Sequence, residues 1–235
     1  MRSTNWRLAV FVASALAGVL SVAQQAPPAP SAPPARFVVV LDAAHGGGDT
    51  GGHLSDNQLE KSFTLALSVR LRSLLGARGI QVVTTRESDM AVDLNKRAEI
   101  ANHAQAQACL SIHASDSGSG VHLYASSLTP AQAVRFAAWK TAQSAWVTRS
   151  LALEGVLNSA LLQAGMNVTL GRTSLAAMDS MTCPAVAVEI APELSQDKKV
   201  TAALDDPGYQ ARVATALAAA LLEWRTDAGR MEGHP

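Results

Sequence analysis

Two hydrophobic periods alternate along the chain from about residue 36 onward. Phe37 to Leu41 is a continuous apolar run, the pattern of a short strand buried on both faces. Leu59, Phe63, Ala66, Leu67, Leu71 and Leu74 then recur at helical spacing. Ser55 and Gln58 stand at capping-box spacing in front of that helix, and Gly76 and Gly79 end it. Ile80 to Thr84 predicts a second strand. Asp93 is placed to cap a helix through Leu94, Ala98 and Ala101. Cys109 to Ile112, Val121 to Tyr124 and Ala185 to Ile190 predict three more strands. Ser150 is placed to cap a helix closed by Gly165, and an Ala/Leu-rich helix runs from about Tyr209 to Trp224. Strands alternating with helices predict one α/β domain, a sheet with helices on its faces. The stretch from Ser126 to Arg149 gives no clear period; Trp139 and Trp146, seven apart, fit a helix face or a loop over a cleft.

The N-terminus follows other rules. Arg2 and Arg7 flank an apolar run from Leu8 to Val22, and Ser21-Val22-Ala23 offers small residues at a cleavage site. Residues 1–23 read as a signal peptide, and the protein as exported to the periplasm or cell wall. The membrane enters only through that segment if it stays uncleaved, and the run is short for a span. Residues 24–35, rich in Ala, Pro and Gln, read as an extended linker. The domain then covers 36–225, and 226–235 read as a flexible tail.

Composition narrows the chemistry. With 48% hydrophobic and 16% charged residues the chain folds as a globule, and a formal net charge of +0 argues against nucleic acid as a partner. Aromatic residues at 4% leave little for an added carbohydrate-stacking module. Two cysteines cannot build a four-cysteine zinc site. Cys109 and Cys183 read most economically as small buried apolar residues, with a disulfide open to an exported chain.

In α/β sheets ligands sit beyond the carboxyl ends of the strands. His45 follows the first strand in a glycine-rich loop, His113 follows the third and Glu189 the last, with Glu60 near the start of the first helix. Two imidazoles and a carboxylate can hold a catalytic zinc with one position open, and a further carboxylate beside it can act as general base. The same residue types also occur at strand ends as caps or solvated groups. His122 alternates with apolar residues and faces either the cleft, where it would bind substrate, or solvent. Asp49 reads as ordering the glycine loop, with a role behind the metal ligands open. Arg86 and Arg97 read as structural pairs or caps. His103 reads as a surface or packing residue, His53 as a solvated loop residue and His234 as part of a frayed end.

The segments resemble the zinc-dependent N-acetylmuramoyl-L-alanine amidases of the AmiC/CwlV type, the amidase-3 family. His45-Gly46-Gly47 with Asp49 and Gly51 resembles the family's D-P-G-H-G-G-x-D-x-G loop. Glu60-Lys61 resembles its E-K pair. Thr85-Arg86, Asp89, Leu94, Arg97 and Ala101-Asn102 resemble its T-R-x-x-D…L-x-x-R…A-N segment. Ser111-Ile112-His113-Ala114 is similar to S-I-H-A, and Pro184 to Ile190 to P-A-V-L-V-E-I. The motifs come in family order from Phe37 to about Trp224. The resemblance implies a twisted, mostly parallel sheet of about six strands. It also implies zinc on His45, Glu60 and His113, Glu189 as the catalytic carboxylate and peptidoglycan as substrate, and leaves open whether an activator protein takes part. A peptidoglycan-binding domain of the same fold with weak turnover is the alternative. Two departures stand out: Ala43-Ala44 replaces Pro-Gly before the histidine, and Ala191-Pro192-Glu193 replaces the usual segment after Glu189-Ile190, which predicts a rearranged wall beside that carboxylate.

Overall fold

The computed structural model describes residues 36–54, 58–132 and 138–232, with backbone alone for 228–232. The leader, the linker, the Ser55 cap and His234 lie outside the described residues. The main sheet contains β1 (Val38–Ala43), β2 (Gln81–Thr84), β3 (Ala108–Ala114), β4 (Val121–Ser126), β5 (Val168–Thr173) and β6 (Ala185–Ile190). Their order across the sheet is β2-β1-β3-β6-β4-β5. All neighbouring pairs are parallel except β4 with β6, so β4 and β5 run against the rest. The helices are α1 (Glu60–Gly76), α2 (Leu94–His103), α3 (Val147–Gln163), α4 (Ala176–Asp179) and α5 (Pro207–Glu232).

Alternation along the strands sorts the side chains onto two faces. On one, Val39, Leu41, Leu110, Ile112, Val186 and Val188 meet the apolar stripes of α1, α3 and α5. On the other, Val38, Val40, Cys109, Ala185 and Ala187 meet Ala98 and Ala101 of α2 and Ala177 and Met178 of α4. The residues further along on that second face are polar: Asp42, Ser111, His113 and Glu189.

Several elements differ from the sequence reading. The strand β5 carries no buried alternation, since it is an edge strand whose Leu170 is 55% exposed. A two-stranded ribbon of β7 (Glu193–Leu194) and β8 (Val200–Ala202) follows β6. Helix α1 opens at Glu60 with Leu59 as its N-cap. Ser150 does not cap α3, which starts at Val147. Instead its buried hydroxyl donates to Gln143 Oε1 at 2.6 Å and accepts from Ala185 N at 2.9 Å. The unreadable stretch contains a 3-10 segment, Trp139–Ala145, with Trp139 on the surface. Its Gln143 amide donates to the carbonyls of Met181 and Cys183, both at 3.0 Å, which ties the segment to the chain entering β6. Helix α5 continues past Trp224 to Glu232, through part of the expected tail. Arg225, Ala228, Arg230, Met231 and Glu232 are good helix formers and outweigh Thr226, Asp227 and Gly229 in that extension. Cys109 and Cys183 form a disulfide, Cα to Cα 6.3 Å, rather than two separate thiols. Parallel pairing of Cys109 with Ala185 brings the two into reach. Among the described residues no helix is long and apolar enough to cross a membrane.

Candidate metal centre and its cleft

The carboxyl ends of β1 and β3 and the first turn of α1 converge. Ligand atoms of His45, Glu60 and His113 lie within 4.8 Å of one another. Glu60 is 6% exposed, and both of its oxygens are engaged. Oε2 accepts from Gly52 N at 2.8 Å and lies 3.1 Å from His45 Nε2. Oε1 accepts from Ala114 N at 3.2 Å and lies 3.0 Å from His113 Nδ1. Burial alone would raise the Glu60 pKa. The His113 contact and the Gly52 and Ala114 amides outweigh it and hold the pKa down to about 2, so the group is a carboxylate at neutral pH.

His45 is oriented from behind. Its Nδ1 lies 2.9 Å from Asp49 Oδ2. A carboxylate only accepts, so the neutral ring carries its proton on Nδ1 and turns a bare Nε2 towards Glu60. Two acceptors then face each other at 3.1 Å, an arrangement that a cation between them resolves. The donor set therefore fits a zinc ion: two imidazole nitrogens and a deprotonated carboxylate, with one ring already fixed in its tautomer. Asp49 itself is held below the usual carboxylate range, chiefly by the His45 hydrogen bond.

The loop carrying His45 is strained and braced. His45 has φ of 63°, a left-handed conformation uncommon outside glycine. Gly51, at φ 66°, is packed so closely that a Cβ there would stand 2.6 Å from both Glu60 Oε2 and His45 Cδ2. Two arginines hold the loop. Arg97 donates to Asp42 Oδ1, the Ala43 carbonyl and the His45 carbonyl, each at 2.7 Å. Arg86 donates to the carbonyls of Ala43, Ala44 and Lys61. Asp42, 2% exposed, also accepts from Thr85 Oγ1 and Ser111 Oγ. Lys61, next to Glu60 in the chain, reaches the Gly47 carbonyl and Asp89, both at 2.7 Å. Arg86 and Arg97 are thus structural, as the sequence suggests. No motif marks the anchoring role of Asp42, although its place on the inward face after Val38 and Val40 calls for a buried cationic partner.

Glu189 stands in register with His113 on β3 and with His122 on β4. All three lie on one face of the sheet. His113, Glu189 and Tyr124 line one lobe of the cleft, and His45, Asp49 and His113 line another. His122 points its Nδ1 at Thr169 Oγ1 of β5 and packs its Nε2 under Gly118. It lines neither lobe, so the structure does not bring it to the cleft as a substrate contact. His103 is 78% exposed beside Glu99, and His53 is an exposed loop residue. The segment after β6 departs from the expectation of a rearranged cleft wall. Ala191 N donates to Gly120 O, Pro192 O accepts from Gly120 N, and Glu193 pairs with Arg212 of α5 at 2.9 Å. These residues turn away behind the sheet and line neither lobe.

Comparison with known proteins matches this arrangement to one family. The family model described as N-acetylmuramoyl-L-alanine amidase matches residues 39–223. The germination-specific N-acetylmuramoyl-L-alanine amidase of Bacillus subtilis is 28% identical over 221 residues, 85% of this chain and 84% of that protein. AmiA of Escherichia coli is 42% identical over a shorter stretch of 79 residues, 34% of this chain and 27% of AmiA. Among solved structures, the catalytic domain of CwlV from Bacillus (Paenibacillus) polymyxa superposes with a TM-score of 0.63 at 29% identity. It covers 81% of this chain and 98% of that domain. The match runs through β1, both histidine-bearing strand ends and β6, and the chain belongs to the amidase-3 family of N-acetylmuramoyl-L-alanine amidases.

Proposed function

We propose that the chain hydrolyses the amide between the lactyl group of N-acetylmuramic acid and L-alanine of the peptidoglycan stem peptide, with zinc held by His45, Glu60 and His113 and with Glu189 as general base. Family membership supports the amidase activity. The observation that carries the site assignment is the convergence of the three ligand atoms within 4.8 Å, beside a carboxylate in register with His113.

A zinc ion bound there would acidify an attacking water towards neutral pKa and polarise the scissile carbonyl. Glu189 takes the proton from the water as its oxygen bonds to the carbonyl carbon. The C–N bond then breaks, and Glu189 returns that proton to the departing alanine amine. The products are a muramoyl carboxyl group and a free peptide amine, with no oxidant or nucleophilic side chain required. Glu60 neutralises charge and fixes the geometry of the two imidazoles. Asp49 keeps the His45 tautomer, and Asp42 with Arg97 holds the loop that presents it.

Peptidoglycan lies outside the cytoplasm, so residues 1–23 fit the reading as an export signal. The Cys109–Cys183 disulfide suits an oxidising compartment. Purified sacculi incubated with the enzyme should release free stem peptides, and a chelator should stop the release. Release that is unaffected by chelation would exclude the metal. Binding to sacculi without release would favour the weak-turnover alternative.

A further inference from the structure

The cleft has two lobes that meet at His113 and Leu175, residues that line both. The larger, of about 510 Å³, extends past Val92 and Leu94 to Ala176 on α4. The smaller, of about 290 Å³, contains Glu189 together with Tyr124 and Thr173.

Tyr124 is built to reach into the smaller lobe. Its Cα partners are Ala187 on β6 and Gly171 on β5, which together offer one methyl group. A Cβ at Gly171 would come within 2.8 Å of the tyrosine ring, so the ring lies against bare β5 backbone. Among the described residues its hydroxyl makes no hydrogen bond. Burial, and secondarily the Glu189 charge, push the phenol pKa up, which keeps the hydroxyl a donor.

We propose that the departing stem peptide occupies the smaller lobe, where the Tyr124 hydroxyl donates to a backbone carbonyl of the peptide, and that the muramoyl sugar occupies the larger. The assignment rests on the amidase reading above and follows from where the proton must go. The departing amine belongs to the peptide. Glu189 must come within hydrogen-bond reach of that amine, directly or through one water. Glu189 lines the smaller lobe and not the larger. A peptide backbone supplies the acceptor that the unpaired hydroxyl lacks. The larger lobe, with the apolar side chains of Val92, Leu94 and Ala176, has the volume for a hexose and its N-acetyl group.

The test uses the purified zinc-containing enzyme, Tyr124→Phe and Ala176→Trp, each with two substrates: an N-acetylmuramoyl peptide and the same peptide carrying only a D-lactyl group. Tyr124→Phe should lower kcat/KM about tenfold on both substrates, the scale of one lost hydrogen bond. Zinc content and thermal midpoint should stay at parent values, because the hydroxyl bonds to nothing in the fold. Ala176→Trp should lower kcat/KM at least tenfold on the sugar-bearing substrate and leave the lactyl peptide within twofold. If the lactyl peptide binds without turnover, its inhibition constants read the same pattern. The lobe assignment is overturned if Tyr124→Phe stays within twofold of parent, if its loss is confined to the sugar-bearing substrate, or if Ala176→Trp spares that substrate. A parent enzyme that cleaves neither substrate would instead remove the amidase reading itself.

Discussion

The two faces of the sheet are made of the same six strands and do different work. On the face under α1, α3 and α5 the strands present mostly Leu, Ile and Val, and Phe63, Tyr209, Trp224 and the alanines of α5 are buried against them. The face under α2 and α4 is filled by Ala, Cys, Met and Val, and becomes polar towards the strand ends. Large branched side chains close the first face and supply most of the buried apolar area. Small ones on the second leave room for the Asp42–Arg97 pair, the Arg86 fan and a cleft. The strand pleat puts core and cleft side chains one residue apart: Ile112 and His113, Val188 and Glu189.

Breaking the polar face should cost the most. Asp42→Ala leaves the buried Arg97 guanidinium without its carboxylate, a loss of about 3–5 kcal/mol in urea unfolding. Because Arg97 also holds the His45 carbonyl, zinc affinity measured by competition with a chromophoric chelator should fall as well. A replacement that leaves affinity intact would separate the brace from the site. Leu110→Ala on the opposite face should cost about 2–5 kcal/mol through its cavity. Metal analysis should still find one zinc per chain, since Leu110 points away from His113. Loss of zinc in this variant would mean that the faces are not independent. Replacing Cys109 and Cys183 together by alanine should cost about 2–4 kcal/mol. Cys109 lies near the start of β3 and Cys183 just before β6, away from the carboxyl ends that line the cleft, so kcat/KM measured well below the new melting temperature should change less than twofold.

The legible parts of the sequence were those dictated by burial. The runs at β1, β3 and β6 are apolar because both of their faces are covered, and the polar residues that end them stand out for the same reason. What was hidden depends on partners distant in sequence. The β5 strand, Val-Thr-Leu-Gly-Arg-Thr, has no inward row to betray it. Its Gly171 leaves the space for the Tyr124 ring, a role set by a partner strand and not by the local sequence. The reversal of β4 is set by its antiparallel pairing with β6, which no local pattern encodes. It places Tyr124 beside the cleft, although a rule based on strand ends points past Ser126. Ser150 has the chemistry of a cap, but its hydroxyl is taken by Gln143 and Ala185, both reached only in the folded chain. At the candidate metal centre, the ordered motifs point to His45, Glu60 and His113, which the fold brings together, while the backbone amides of Gly52 and Ala114 on Glu60 become visible only with the fold.

The central claim is that two glutamates of identical chemistry hold different posts, Glu60 on the metal and Glu189 beside it. Paired measurement of zinc content and peptidoglycan hydrolysis in Glu60→Gln and Glu189→Gln tests it directly. An amide is a poor zinc ligand, so Glu60→Gln should lose both metal and activity. Glu189→Gln should keep about one zinc per chain and a parent-like melting temperature, while turnover falls roughly a hundredfold or more, the scale of a lost general base. A metal-free Glu189→Gln, or one that hydrolyses peptidoglycan at the parent rate, would contradict the account.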